Sequence, residues 1–107
     1  MIHVVYHRHY NRVTVEGHAG SGPQGHDLVC ASVSALALTL AGNVSYMEAQ
    51  EAVHGVIIKL EEGNAEIQCT PYRKYKDSVA QIIRAICVGF ELLATKYPEN
   101  ISYEVRG

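Results

Sequence analysis

Residues Asp27 to Met47 form one long apolar stretch with helical spacing, and no other segment narrows the possible folds as much. Leu28, Val29, Ala31, Val33, Leu36, Leu38, Leu40 and Val44 are distributed around the whole axis. A helix that is apolar all round must be covered on several sides. One side can lie on a sheet, but a chain of 107 residues has room for only one further long helix. The remaining surface is therefore covered either within one subunit or by a second copy of the chain. Gly42 and Asn43 read as loosening the helix end, and the polar segment Ser45 to Glu51 leads out of it.

The segments around this helix alternate with period two. Ile2, Val4 and Tyr6 alternate with His3, Val5 and His7 in a first strand; His9, Tyr10 and Asn11 supply a turn; and residues 12 to 17 form a second, antiparallel strand with Val13 and Val15 on its apolar face. After the helix, residues 53 to 60 read as a third strand whose run Val56, Ile57, Ile58 suits a central position. A glycine turn over Glu61 to Asn64 leads to a fourth strand in which Ala65, Ile67 and Cys69 face one way. Pro71 ends it. Val79, Ile82, Ile83, Ile86, Phe90 and Leu93 then mark one face of an amphipathic helix over residues 77 to 96, and Ile101, Tyr103 and Val105 a last strand. The order β-β-α-β-β-α-β predicts an α+β domain over residues 1–107, a mixed or antiparallel sheet packed with two helices on one or both faces.

Composition excludes several function classes. With 9 Lys and Arg against 11 Asp and Glu, the formal charge is −2, and no basic tract is present to grip nucleic acid. No charged n-region precedes an apolar h-region, and no apolar run is read as reaching the ~18 residues of a membrane span, so a cytoplasmic location is expected. Cys30, Cys69 and Cys87 are odd in number and lack CxxC spacing, which suits a reducing compartment and argues against a disulfide framework or a structural zinc site. Cys69 and Cys87 read as core thiols. His54, alone at a strand start, reads as a surface residue. No Rossmann or P-loop spacing occurs, and no cofactor is expected.

The chemistry-bearing stretch is Gly17 to Ser34, which ends a strand, passes through a glycine-rich loop and opens the first helix. His18 stands at the strand end and Cys30 near the helix start, with Gly20, Gly22, Pro23 and Gly25 between them. Asp27 is a natural N-cap, since its carboxylate can accept a backbone N–H two or three residues on. Cys30 then falls at the third helical position, where the helix dipole favours a thiolate, the nucleophilic form. Ser34 lies one turn further on the same face, able to bond within the site or back to the helix backbone. A thiol and an imidazole flanking a deformable loop can form a nucleophile and its base. Equally, such a pair can be a small core residue and an ordinary loop histidine.

The pattern His18, Ala19, Gly20, then Gly25, Asp27, Val29, Cys30, Ala31 and Ser34 resembles the signature of the ribosomal-processing cysteine proteases, the Prp family. The likeness extends over the whole chain in length and order of elements, while its specific residues lie in positions 17–34. His26 stands where that family has a lysine or a similar residue, and Pro23 stiffens the loop. The resemblance implies a catalytic dyad of His18 and Cys30. It also implies a peptide substrate, the short N-terminal extension of large-subunit ribosomal protein number twenty-seven, and a homodimer.

From the residues alone, the leading reading is a thiol-dependent hydrolase, with Asp27 and Ser34 in support and the segment Gly20 to Gly25 closing over substrate as a lid. A metal-binding module using His18, His26, Asp27 and Cys30 is one alternative, although these residues lack paired zinc-ligand spacing. A non-catalytic ribosome-assembly module, in which the glycine loop grips a peptide, is another.

Overall fold

A computed structural model describes the backbone of residues 1–18 and 26–107, and the side chains of these residues except His26 and Asp27. Strand β1 (Ile2–His7) passes through a 3-10 turn (Arg8–Tyr10) into β2 (Arg12–Glu16). Asn11 closes that connection at φ 47, a left-handed conformation that asparagine accepts more readily than most residues. Helix α1 (His26–Ala49) follows, then the hairpin of β3 (Val53–Glu61) and β4 (Asn64–Pro71), a second 3-10 turn (Arg73–Tyr75), helix α2 (Lys76–Lys96) and β5 (Ile101–Arg106). The expected element order is the observed one.

The five strands form one sheet in the order β3-β4-β2-β1-β5. It is mixed: β1 pairs with β5 in parallel, and every other neighbouring pair is antiparallel. Register puts Val4 opposite Val15 and Tyr6 opposite Val13, while Val13 and Val15 also face Ile67 and Ala65 on the other side. These residues, with Ile2, Cys69 and Ile101, are buried on one face. Arg12, Glu66, Gln68 and Glu104 belong to the opposite, wetter face, where Arg12 Nε donates to Glu66 at 2.6 Å. Both helices pack on the apolar face and against each other, which makes an α+β fold of two layers.

Helix α1 buries Val29, Val33, Ala37, Leu40, Ala41, Val44 and Met47, a stripe recurring every three or four residues. Burying a side chain of valine or leucine size contributes about 1.5–3 kcal/mol. That stripe explains why α1 does not loosen at Gly42 and Asn43 as expected: Val44 and Met47 continue it, and Asn43 Nδ2 donates back to the Thr39 carbonyl at 2.8 Å. The rest of the circumference is only partly covered, with Leu28 and Leu38 exposed. Within each of Leu28–Ala49 and Arg73–Lys96 an 18-residue stretch reaches a mean hydropathy of 1.7 and 1.5 respectively, so by length and composition both helices could cross a membrane. Each helix also buries a stripe, Val29 to Met47 on α1 and Val79, Ile83, Cys87 and Phe90 on α2, while much of the rest of each helix stays uncovered.

Strand β3 departs from expectation. Its apolar run reads as central, yet the strand is at the sheet edge, with Ile57, Ile58 and Leu60 39–45% exposed. Its β-branched residues satisfy strand propensity wherever the strand lies, and the pattern does not say which neighbour covers them. His54 is on the surface as expected, its ring 4.7 Å from that of Tyr72.

Cys69 and Cys87 are both buried in the core, and burial pushes each thiol up to about 11, with a Tyr103 hydrogen bond partly opposing the shift at Cys87. Burial raises the hydroxyls of Tyr6 and Tyr103 as well. In the unfolded chain a thiol ionises near 9, so between about 9 and 11 the folded state holds protons that the unfolded state has lost. Stability therefore falls as pH rises through that window, by up to about 1.4 kcal/mol per pH unit for each thiol. Thermal unfolding from pH 8 to 11 should show this decline, and Cys69→Ala should flatten it. An unchanged slope in the variant would contradict the assignment.

Candidate active site

Strand β2 hands the chain to His18 through Gly17, and the turn that leads into β4 shapes that exit. Glu16 pairs with Asn64, and the Gly17 N–H donates to the Gly63 carbonyl at 2.9 Å. Gly17 has φ +99, and a side chain there would collide with the Met1 carbonyl. Only glycine fits such a crossing without displacement. His18 then stands exposed at the end of the apolar sheet face.

On the other wall, α1 presents Cys30 and Ser34 one turn apart. Cys30 is half-buried and packs against the core, Val29 beside it is fully buried, and Ser34 is exposed. His18, Cys30 and Ser34 line one open pocket of about 470 Å³. Ile2, Val15, Val33 and Leu38 give it apolar walls, and Leu60 to Ala65, the turn between β3 and β4, completes the rim. The pocket thus joins a thiol, an imidazole and a hydroxyl to a surface suited to apolar side chains.

The remaining sequence-derived site residues fare differently. Asp27 lies within α1 (His26–Ala49) rather than at its N-cap, so Cys30 stands further into the helix than the third position. The dipole's influence fades beyond the first turn, which weakens the contribution expected of the helix start at Cys30. The Asp27 side chain, and Gly20, Gly22 and Gly25 with the proposed lid, lie outside the described residues. So do the His26 and Asp27 side chains required by the metal alternative; among the described residues no group of three or more His, Cys, Asp or Glu could hold a metal ion.

Sequence reasoning missed the contribution of Glu61, Glu62, Gly63 and Asn64. The glycine marked a turn, but only the β2–β4 pairing carries that turn to the end of β2. A side-chain carbon at position 63 would lie 2.7 Å from His18 Nε2, so the turn directly abuts the ring.

The family model described as cysteine protease Prp matches residues 1–102. The chain belongs to the Prp family of cysteine proteases. Its solved Prp-like neighbours include the essential ribosomal processing protease Prp from S. aureus with a covalently linked product peptide, at TM-score 0.73 and 23% identity over 99% of this chain and 100% of that one. The same S. aureus protease with a substrate peptide matches at TM-score 0.69 and 20% identity, covering 98% and 97% of the two chains. SMU.848 from Streptococcus mutans matches at TM-score 0.65 and 25% identity, covering 97% and 90%. Comparison with curated proteins gave no match.

As a Prp-family cysteine protease, the chain needs one accessible thiol, and its three differ sharply. Cys30 opens onto the pocket, whereas Cys69 and Cys87 are buried and held protonated near neutrality. Iodoacetamide at pH 7.5 should label Cys30 at least about a hundredfold faster than the other two in folded protein, and all three at similar rates in urea. Comparable labelling of Cys69 or Cys87 in the folded state, read by peptide mass mapping, would contradict this ordering.

Proposed function

We propose that this Prp-family protease removes the short N-terminal extension of large-subunit ribosomal protein number twenty-seven, in the cytoplasm, with Cys30 as nucleophile and His18 as its base. The observation that carries the reading is that His18 and Cys30, twelve positions apart in sequence, line the same peptide-sized pocket. The family match and the peptide-bound S. aureus neighbours support the substrate class.

In this mechanism the Cys30 sulfur attacks the scissile carbonyl carbon as its proton passes to His18. Backbone N–H groups at the start of α1 stabilise the oxyanion. Collapse breaks the C–N bond, and His18 gives its proton to the departing amine, leaving a thioester on Cys30. Water then attacks the thioester carbonyl while His18 accepts a proton, and the carboxylic acid and the free thiol are released. Asp27 supports the site by stabilising the helix start and by orienting the loop or the imidazole. Ser34, one turn beyond Cys30 on the pocket wall, orients substrate or solvent.

We infer that the working unit is a homodimer, because α1 exposes Leu28 and Leu38 while β3 exposes Ile57, Ile58 and Leu60. A second copy would cover these surfaces.

Incubation with a peptide spanning the extension and its junction should give one cut. Cys30→Ala should abolish cleavage, and His18→Ala should lower kcat by at least about a hundredfold, both with folded circular dichroism spectra. Parent-rate cleavage by either variant would refute the dyad, and failure of the folded parent to cut this extension while cutting another peptide would refute the substrate. Sedimentation equilibrium should give twice the chain mass at micromolar concentration, and a monomer there would refute the dimer.

A further inference from the structure

Gly63 takes no part in the chemistry above, yet it restrains His18 in two ways. Its carbonyl accepts the N–H of Gly17, anchoring the backbone one residue before the histidine. Its Cα faces the ring so closely that an added side-chain carbon would lie 2.7 Å from Nε2, 2.9 Å from Cε1 and 3.5 Å from Cδ2. The residue has φ +76, which favours glycine in the turn between β3 and β4.

We propose that Gly63 is a positioning residue for His18: the missing side chain lets the imidazole rest against the turn, in the orientation from which it exchanges a proton with Cys30. The proposal rests on the dyad reading given above. His18 is exposed, and its ring is the far end of a rotatable side chain. A carbon at position 63 is therefore accommodated by the ring swinging away, not by the sheet coming apart. The loss falls on proton transfer, which depends steeply on geometry.

Backbone strain and contact with the ring can be separated. Gly55 also has positive φ, +59, but a side-chain carbon there would meet nothing nearer than Thr70 Oγ1 at 3.5 Å. Gly55→Ala thus imposes similar strain within the β3–β4 hairpin without touching His18. Asparagine tolerates left-handed backbone better than alanine, so Gly63→Asn preserves the turn while placing a carbon against the ring.

The test compares the parent, His18→Ala, Gly63→Ala, Gly63→Asn, Gly55→Ala and the double variant His18→Ala with Gly63→Ala. Each is assayed for cleavage of the extension peptide, for iodoacetamide alkylation of Cys30 at pH 7 and for Tm. Both Gly63 variants should lose at least about tenfold in kcat, with KM within about twofold, and should show slower alkylation. Gly55→Ala should lose Tm comparably to Gly63→Ala yet keep parent kcat. On the His18→Ala background, Gly63→Ala should slow alkylation no further, since it acts through a ring already removed. Parent-like kcat and alkylation in folded Gly63→Asn, an equal loss in Gly55→Ala, or additive effects in the double variant would overturn the role of Gly63 while leaving the dyad standing. Parent-like cleavage by His18→Ala would instead overturn the dyad and the positioning role with it.

Discussion

The pairing of β2 with β4 is the constraint on which the site depends. These strands are separated in sequence by α1 and β3, yet their register sets Glu16 opposite Asn64 and lets the Gly63 carbonyl take the Gly17 N–H. Val13 and Val15 are held on the apolar face by neighbours on both sides, so a one-residue slip would turn them to water and carry His18 away from the pocket. The same ladder that completes the core therefore aims the chain end that carries the imidazole.

Helix α1 supplies the opposite wall. Val29 and Val33 are buried in the core, and Cys30, following Val29, is turned only partly inward. Its partial exposure follows from helical spacing around a buried stripe. Cys69 alternates into the sheet core and Cys87 lies on the buried face of α2, so burial suppresses the ionisation of both. One thiol of three faces the pocket because the others are needed as packing.

The core accounts for only part of the apolar surface. Ile57, Ile58 and Leu60 on the edge strand, with Leu28 and Leu38 on α1, remain exposed. Leu38 and Leu60 also line the pocket, so part of the exposed apolar surface borders it. An edge strand bearing such residues is prone to unwanted pairing unless something covers it, which gives the proposed second copy a physical purpose.

The sequence by itself determined the seven elements in their order and the core role of Cys69 and Cys87, and it singled out His18 and Cys30, which line one pocket. Period-two and helical spacing, together with residue chemistry, are local properties that survive without coordinates. Helix ends were less legible. Gly42 and Asn43 read as loosening the end of a helix that runs to about Met47, but packing at Val44 and Met47 carries α1 through them to Ala49, and Asp27, expected at the N-cap, already lies within α1. Only the tertiary structure decided that both helices share one face, that β3 is an edge strand and that the turn at Gly63 abuts His18. Those relations depend on which strands pair across long separations, and an alternating apolar pattern is equally satisfied by several neighbours.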